Sequence, residues 1–160
     1  MRLTILSVGR LKRGAESGLF GEYSRRIDGA GKPIGAGPLK VIEVAQSRKG
    51  SAAERRRQEG QALIAKLGAG ARLIVMDQGG KALSSAGFAD YLAAMRDSGT
   101  GELAFVLGGP DGIGDEVVRA AEARLSLGPM TLPHGLARIV LAEQIYRALT
   151  ILAGHPYHRA

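Results

Sequence analysis

Residues 103–114 read LAFVLGGPDGIG, five apolar residues followed by a glycine-rich segment, residues 108–114, which we call the glycine turn. An uninterrupted apolar run of this length predicts a strand buried on both faces, as in a parallel sheet covered by helices. Closely spaced glycines after such a strand let a ligand approach the backbone amides. The turn lacks the Lys-Ser/Thr pair of a Walker loop and the GxGxxG spacing of a dinucleotide fingerprint. Taken alone, it is compatible with a ligand site and with a purely structural turn.

The sequence on either side of this stretch alternates short apolar runs with amphipathic segments, which is typical of an α/β domain with a mostly parallel sheet. Strands are predicted at residues 3–8, 39–44, 72–76 and 103–107. The residues Phe20, Tyr23 and Ile27 recur at helical spacing and predict one buried helix face. Residues 29–38, rich in Gly and Pro, are predicted to form a loop. Ser51 and Glu54 have the spacing of a capping box at the start of a second helix.

A long C-terminal helix is predicted to begin near Pro133 and to end near Ala153. On a helical wheel its apolar residues cover about half of the circumference, and Leu136, Ile139 and Tyr146 add a second apolar patch. One sheet cannot cover both surfaces, so the helix lies either at the centre of the core or between two subunits. We favour the second interpretation, a homodimer. Glu143 and Arg147 are expected to pair at the edge of this surface.

Composition narrows the class of protein. A chain of 160 residues with 45% hydrophobic and 23% charged residues fits a single domain over residues 1–160. The absence of cysteine excludes disulfides, thiolate metal sites and a cysteine nucleophile. The three histidines, His134, His155 and His158, form no metal-ligand cluster with carboxylates, so no metal is expected. We expect no secretion signal and no membrane span, and therefore a cytoplasmic location.

The positive charge is concentrated in the first part of the chain. Residues 1–60 hold 13 Lys/Arg against 6 Asp/Glu and the rest holds 9 of each, so the whole net charge of +7 lies there. Most of it comes from Arg10, Lys12, Arg13, Arg25, Arg26, Arg48, Lys49 and the triplet Arg55, Arg56 and Arg57. This asymmetry favours contact with a nucleic-acid backbone over a merely solvated basic face. An aromatic content of 4% argues against the stacking of successive unpaired bases.

Three stretches carry a specific resemblance. FVLGGPDGIG (residues 105–114), LSLGPMTLPHGLARIVLAEQIYRA (residues 125–148) and the terminal pair Tyr157-His158 resemble the RlmH family, and the likeness extends over essentially the whole chain. RlmH proteins belong to the SPOUT class, so the resemblance implies an α/β fold with a deep C-terminal trefoil knot that forms the S-adenosylmethionine pocket. It also implies a homodimer that methylates N3 of a pseudouridine in 23S ribosomal RNA within the assembled ribosome.

The same resemblance implies which residues hold the cofactor. Carried onto this chain, the S-adenosylmethionine pocket comprises eight residues on three segments: Met76, Gly108, Leu127, Gly128, Pro129, Met130, Thr131 and Leu132. The predicted parallel sheet agrees with this set, because loops at the carboxyl ends of parallel strands converge at one edge of a sheet. Few of the eight are charged, which suits a ligand held by backbone groups and apolar walls.

Methylation of N3 requires loss of the proton that this nitrogen carries, and the resulting ring anion needs a base or a cation nearby. The residues that we expect to act are Arg138, Tyr157 and His158. Arg138 would stabilise the anion or hold a phosphate, His158 would accept the proton, and Tyr157 would orient or stack on the base. The structural alternatives are a helix-cap contact for Arg138 and, for Tyr157, simple packing of residues 155–159, which we call the tail.

Two other classes of function fit parts of the sequence. A non-catalytic ribosome-binding factor would equally explain the basic N-terminal part, and binding of S-adenosylmethionine distinguishes it from a methyltransferase. An oxidoreductase is the third alternative for an α/β chain with glycine turns, and the absent dinucleotide fingerprint argues against it.

Overall fold

The computed structural model describes residues 1–48 and 50–158, with only the backbone of His158. Its centre is a five-stranded sheet in the order β2-β1-β4-β3-β5, in which all four neighbouring pairs are parallel. The strands are β1 (Arg2–Val8), β2 (Leu39–Val44), β3 (Arg72–Ala82), β4 (Glu102–Leu107) and β5 (Ala123–Ser126). The helices are α1 (Ala15–Gly31), α2 (Ala52–Ile64), α3 (Ser85–Asp97), α4 (Asp115–Ala120) and α5 (His134–Leu152). The predicted α/β class is confirmed.

Helices cover both faces of the sheet. Leu3 and Ile5 of β1 point into one core, which α1, α3 and α5 cover, whereas Leu6 and Val8 point into the other, beneath α2 and α4. This alternation follows from the two-residue period of a strand. Every residue of β4 is buried, as its continuous apolar run predicts.

Two boundaries differ from the sequence prediction, and glycine explains the first of them. Residues 29–31 continue helix α1 instead of opening a loop, and a short 3₁₀ turn, Lys32–Ile34, follows. A side chain on Gly31 would collide with the backbone of Ala36, so this glycine serves close packing and not a turn. Strand β3 is also longer than predicted, because its second half pairs with β5 after a bulge between Met76 and Lys81.

Helix α5 lies between α1 and α3 on one face of the sheet. Ile139, which the wheel assigns to the second apolar patch, is only 7% exposed and belongs to the core of its own chain. Tyr146 packs against Tyr23, with 6.2 Å between ring centroids. Leu136 is 43% exposed and is the member of that patch that still faces outward. The wheel is wrong about Ile139 because it cannot show that helices flank α5 on two sides.

Two expectations about the fold stay predictions. They are the trefoil knot that the resemblance implies and the single domain over residues 1–160. Within residues 1–48 and 50–158, no helix is long and apolar enough to cross a membrane.

Candidate active site

Three segments meet at the carboxyl edge of the sheet and enclose a cleft of about 500 Å³. They are the middle of β3 around Met76, the glycine turn after β4, and residues 127–133 between β5 and α5. The strands β5, β3 and β4 are neighbours, and Met76 of β3 pairs with Leu107 at the end of β4 and with Leu125 of β5, so the three segments lie side by side. Such an edge is where ligands bind in open α/β sheets.

Seven of the eight cofactor-binding residues predicted from the sequence line this cleft. They are Met76, Gly108, Leu127, Gly128, Met130, Thr131 and Leu132. The eighth, Pro129, is not among the lining residues, but its carbonyl oxygen accepts a hydrogen bond from the Gln78 side-chain amide. The structure therefore brings the predicted set together around one cavity.

The glycine turn forms the first wall of the cleft. The amide of Gly112 donates to the carbonyl of Gly109 at 2.9 Å, and Gly112 has φ +92°, a conformation that favours glycine. A Cβ atom on Gly108 would collide with the Ile113 side chain and lie 2.6 Å from the Gly112 carbonyl oxygen. Both glycines are thus required by the shape of the turn itself.

Residues 127–133 form the second wall of the cleft. The hydroxyl of Ser126 accepts from the Gly128 amide and donates to the Gly128 carbonyl, both at 3.1 Å. Gly128 has φ +122°, and a Cβ atom there would meet nothing within 4 Å. Met130 is 80% exposed, an unusual position for a large apolar side chain. This wall consequently presents backbone and apolar surface to the cleft.

Polar residues that the sequence analysis missed also line the cleft, notably Asp77, Gln78 and His134. The Asp77 carboxylate accepts from the Gly79 amide at 2.9 Å and pairs with Arg124. These contacts, with the Gly79 bond as the larger cause, lower the pKa of Asp77 below its usual value. Asp77 directly follows the predicted strand 72–76, so the carboxyl-end rule was a signal that could have identified it.

Comparison with known proteins matches residues 1–158 to a family model described as a predicted SPOUT methyltransferase. A protein of Xanthobacter autotrophicus named Ribosomal RNA large subunit methyltransferase H is 52% identical over the full length of both chains. Proteins of the same name from Rhizobium meliloti and a Methylobacterium species are 47% and 46% identical, over 100% and 99% of this chain and 100% and 98% of theirs. The chain belongs to the RlmH family of SPOUT methyltransferases. It is therefore a transferase, and SPOUT methyltransferases generally use S-adenosylmethionine.

Arg138, the first of the residues that the RlmH resemblance assigns to catalysis, lies outside the cleft lining although its neighbour Ala137 is part of it. Its side chain is 3% exposed and forms an ion pair with Glu43 at 2.7 Å. It also donates to the carbonyl oxygens of Val8 at 2.9 Å and Gly9 at 2.6 Å. Arg138 thus joins α5 to the carboxyl ends of β1 and β2, which is not the helix-cap contact considered as its structural alternative. Its role in catalysis stays a prediction.

The Glu43 oxygen that receives Arg138 also accepts from the Leu11 amide at 2.8 Å. Glu43 and Arg138 together hold the turn after β1, in which Arg10, Lys12 and Arg13 are exposed. In the folded chain, Arg138 therefore anchors a basic loop at the edge of the sheet that carries the cleft.

Tyr157 lies in the 3₁₀ turn Pro156–His158 and packs on α5 of its own chain. Its hydroxyl donates to Glu143 at 3.3 Å, its ring lies 4.6 Å from that of Tyr146, and the Arg147 guanidinium stands 5.1 Å above it. Burial, followed by the contacts with Tyr23 and Glu143, raises the pKa of Tyr157 to about 12. The predicted pair of Glu143 and Arg147 is confirmed at 2.7 Å.

Tyr157 and the cleft lie at different positions along α5. Ala137 lines the cleft and Glu143 holds Tyr157, and six residues of helix correspond to about 9 Å along its axis. The side chain of His158 lies outside the described part of the structure, so its predicted role as a base stays a prediction. Within one chain, the cofactor residues converge and the catalytic candidates Arg138 and Tyr157 do not join them.

The arginine triplet is divided between two environments. Arg55 pairs with Asp111 of the glycine turn at 2.7 Å, whereas Arg57 is exposed. Ser51 and Glu54 form the predicted capping box that starts this helix. Lys49, which the sequence analysis counts among the basic residues, lies outside the described residues. In the parts of the chain that are described, no group of three His, Asp or Glu residues has the arrangement of a metal site.

Proposed function

We propose that this chain binds S-adenosylmethionine in the cleft and methylates N3 of a pseudouridine in 23S ribosomal RNA within the assembled ribosome. The observation that carries the proposal is the convergence of the glycine turn and residues 127–132 on one cavity, in a chain of the RlmH family. The relatives named as large-subunit methyltransferases supply the RNA class. Work on ribosomes would take place in the cytoplasm.

The residues present fit this cofactor. A volume of about 500 Å³ lies within the range of small-molecule sites. The glycine positions 112 and 128 leave open space where a Cβ atom would stand, so a ligand can approach the backbone there. Asp77, although paired with Arg124, places a carboxylate beside apolar walls, and this acceptor complements the amino group of the ligand. Met76, Gly108 and residues 127–132 would hold the group.

When bound, S-adenosylmethionine supplies an electrophilic methyl group on a positively charged sulfur. The walls of the cleft orient this ligand and exclude water, and positioning of this kind supplies a large part of the rate in a displacement that needs collinear atoms. His158 would accept the N3 proton, since an imidazole is the one side chain with an ordinary pKa close to neutrality.

We keep for Tyr157 the role expected from the sequence and assign Arg138 a different one. A pKa of about 12 keeps the proton on Tyr157 at neutral pH, so Tyr157 would orient or stack on the base and would not act as the base. Arg138 is committed to Glu43 and two carbonyls. We assign it the task of holding the basic loop with Arg10, Lys12 and Arg13 beside the cleft, where the loop would meet RNA phosphates.

A homodimer completes the proposal. Tyr157 packs on α5 and is not part of the cleft lining of its own chain, so a second subunit would bring its Tyr157 and His158 to the site. Met130, 80% exposed on the cleft wall, and Leu136, 43% exposed in the first turns of α5, offer an apolar surface for that contact. Ile139 is excluded from this surface because it is buried in the core.

The proposal is tested by transfer of a labelled methyl group from S-adenosylmethionine to assembled ribosomes, separated subunits and free 23S RNA. We expect label in 23S RNA from ribosomes, at a pseudouridine whose N3 position mass spectrometry identifies. Binding to ribosomes without cofactor binding or transfer would instead identify a non-catalytic ribosome-binding factor. Transfer to another atom or another RNA would contradict the proposed specificity.

A further inference from the structure

Helix α2 holds the glycine turn from the side away from the cleft, through a contact that the proposed chemistry does not use. Arg55 donates from Nε to one oxygen of Asp111 at 2.7 Å and from Nη2 to the other at 2.9 Å. This two-point geometry fixes orientation as well as distance, which a lysine would not do. The contact with Arg55 lowers the pKa of Asp111, so this carboxylate is ionised at neutral pH.

The position of Asp111 makes this pair relevant to the cleft. Pro110 and Gly112, on either side of Asp111, line the cavity, whereas Asp111 itself does not. The turn is closed by the bond from the Gly112 amide to the Gly109 carbonyl. A displacement of Asp111 would therefore move two lining residues with it.

Further contacts tie the same helix to the turn. Arg56 donates to the Asp111 carbonyl at 3.3 Å. Glu59, only 2% exposed, accepts from the Ser47 amide at 2.8 Å through one carboxyl oxygen. Its other oxygen lies so close to Gly109 that a Cβ atom there would be 2.8 Å from it. One side of α2 thus contacts the glycine turn at Gly109 and at Asp111. These two contacts restrict the movement of the turn.

We propose that Arg55 is a positioning residue, which acts through Asp111 to hold the glycine turn in the shape that receives the cofactor. The inference rests on the proposed function for the identity of that ligand, whereas the bracing of the turn concerns the free protein. The arginine triplet therefore has members with different roles. Arg55 pairs with Asp111 of the glycine turn, whereas Arg57 on the same helix is exposed.

The first measurement is hydrogen exchange of the amides of Gly109 and residues 111–114 in the protein without ligand. Arg55→Lys keeps the charge and loses the fork, and Asp111→Asn keeps the shape and loses the charge. We expect exchange in this segment to become about tenfold faster in both variants, and unchanged in Arg57→Lys, the matched control. Thermal unfolding of each variant shows whether the rest of the fold is intact.

The second measurement is calorimetric titration with S-adenosylhomocysteine, the demethylated product. We expect Kd to rise about tenfold in Arg55→Lys and in Asp111→Asn, and no further in the double variant, because both changes remove the same pair. Arg57→Lys should bind as the unaltered protein does.

The outcomes separate this inference from the proposed function. Unchanged exchange and unchanged affinity in both variants overturn the inference, and so does weaker ribosome binding with unchanged exchange, which would make Arg55 an RNA contact. If the unaltered protein binds neither S-adenosylhomocysteine nor S-adenosylmethionine, the proposed function fails, and faster exchange in Arg55→Lys would still support the brace.

Discussion

The cleft and the tail lie at different levels of helix α5 and are built in different ways. The cleft consists mainly of backbone and apolar side chains on three segments: the middle of β3, the glycine turn, and residues 127–133 between β5 and α5. The tail instead packs through side chains, in which Tyr157 meets Glu143, Tyr146 and Arg147. Seven of the eight predicted cofactor residues line the cleft within one chain, whereas Tyr157 is not among its lining residues.

This difference indicates how the two steps of the proposed reaction depend on the fold. Cofactor binding should respond to changes in these three segments of a single subunit, because they supply the residues that line the cleft. Base orientation and proton removal should respond to changes in the tail, and should require that the tail of another subunit approach the cleft. Affinity and transfer rate are therefore expected to be separable by mutation.

The largest separation is expected for His158→Ala. If His158 accepts the N3 proton, single-turnover methylation should fall on the order of 10²-fold or more, while affinity for S-adenosylmethionine changes little. Raising the pH should partly restore the rate, since hydroxide then does more of the deprotonation. A normal single-turnover rate would exclude His158 as the base, and a slow rate without recovery at high pH would indicate a positioning role.

Arg138→Met should lower the free energy of unfolding by about 2–3 kcal/mol, because Glu43 loses its ion-pair partner and the carbonyls of Val8 and Gly9 lose the donor that Arg138 supplies. Urea denaturation measures this loss. The matched control is Arg147→Met on the same helix, whose partly exposed pair with Glu143 should contribute about 1 kcal/mol or less. Equal losses in the two variants would contradict the anchoring role of Arg138.

Gly108→Val should raise Kd for S-adenosylmethionine about 30-fold or more. A side chain there collides with Ile113 and Gly112, so the wall itself must change shape. Gly101→Val is the matched control, since a Cβ atom on Gly101 meets nothing within 4 Å and Gly101 does not line the cleft. Calorimetry with unchanged affinity in Gly108→Val would remove the glycine turn from the site.

The smallest effect concerns the docking of the tail at high pH. The pKa of Tyr157 is raised to about 12 in the folded protein, above the ordinary value of 10.0. The folded state therefore holds this proton more tightly, and the associated stability is present below pH 10 and is lost as pH rises through 12. Between pH 9 and pH 11, urea denaturation should show a steeper fall for the unaltered protein than for Tyr157→Phe, by under about 1 kcal/mol. Parallel curves would contradict this docking.

The parts of the site that the sequence predicted are local in the chain. The apolar run 103–107 and the glycine turn are adjacent, so a pattern of neighbouring residues was enough to find them. Asp77 was also within reach, since it ends a predicted strand. Residues 127–132 came instead from the resemblance to the RlmH family, because no local rule makes that stretch a binding wall.

The contacts that the sequence analysis missed join distant positions. Arg55 and Asp111 are 56 residues apart, and Arg138 lies 130 residues from Val8. Neither pair can be read from periodicity or spacing, because the sheet order brings these segments together. Gly31 was misjudged for a different reason. Its close neighbour Ala36 is only five residues away, and the 3₁₀ turn Lys32–Ile34 between them brings the two backbones together.

In the proposed dimer, the cleft of one subunit works with the tail of the other. Gly108→Val, which lacks a working cleft, and His158→Ala, which lacks a working tail, can be mixed, and the heterodimers isolated through two different tags. Each heterodimer then holds one intact cleft opposite one intact tail. At a cofactor concentration below the raised Kd of Gly108→Val, we expect the heterodimer to transfer methyl groups to ribosomes at about half the rate of the unaltered dimer, whereas each variant alone transfers them far more slowly. Heterodimers that form but transfer no methyl group would contradict the claim.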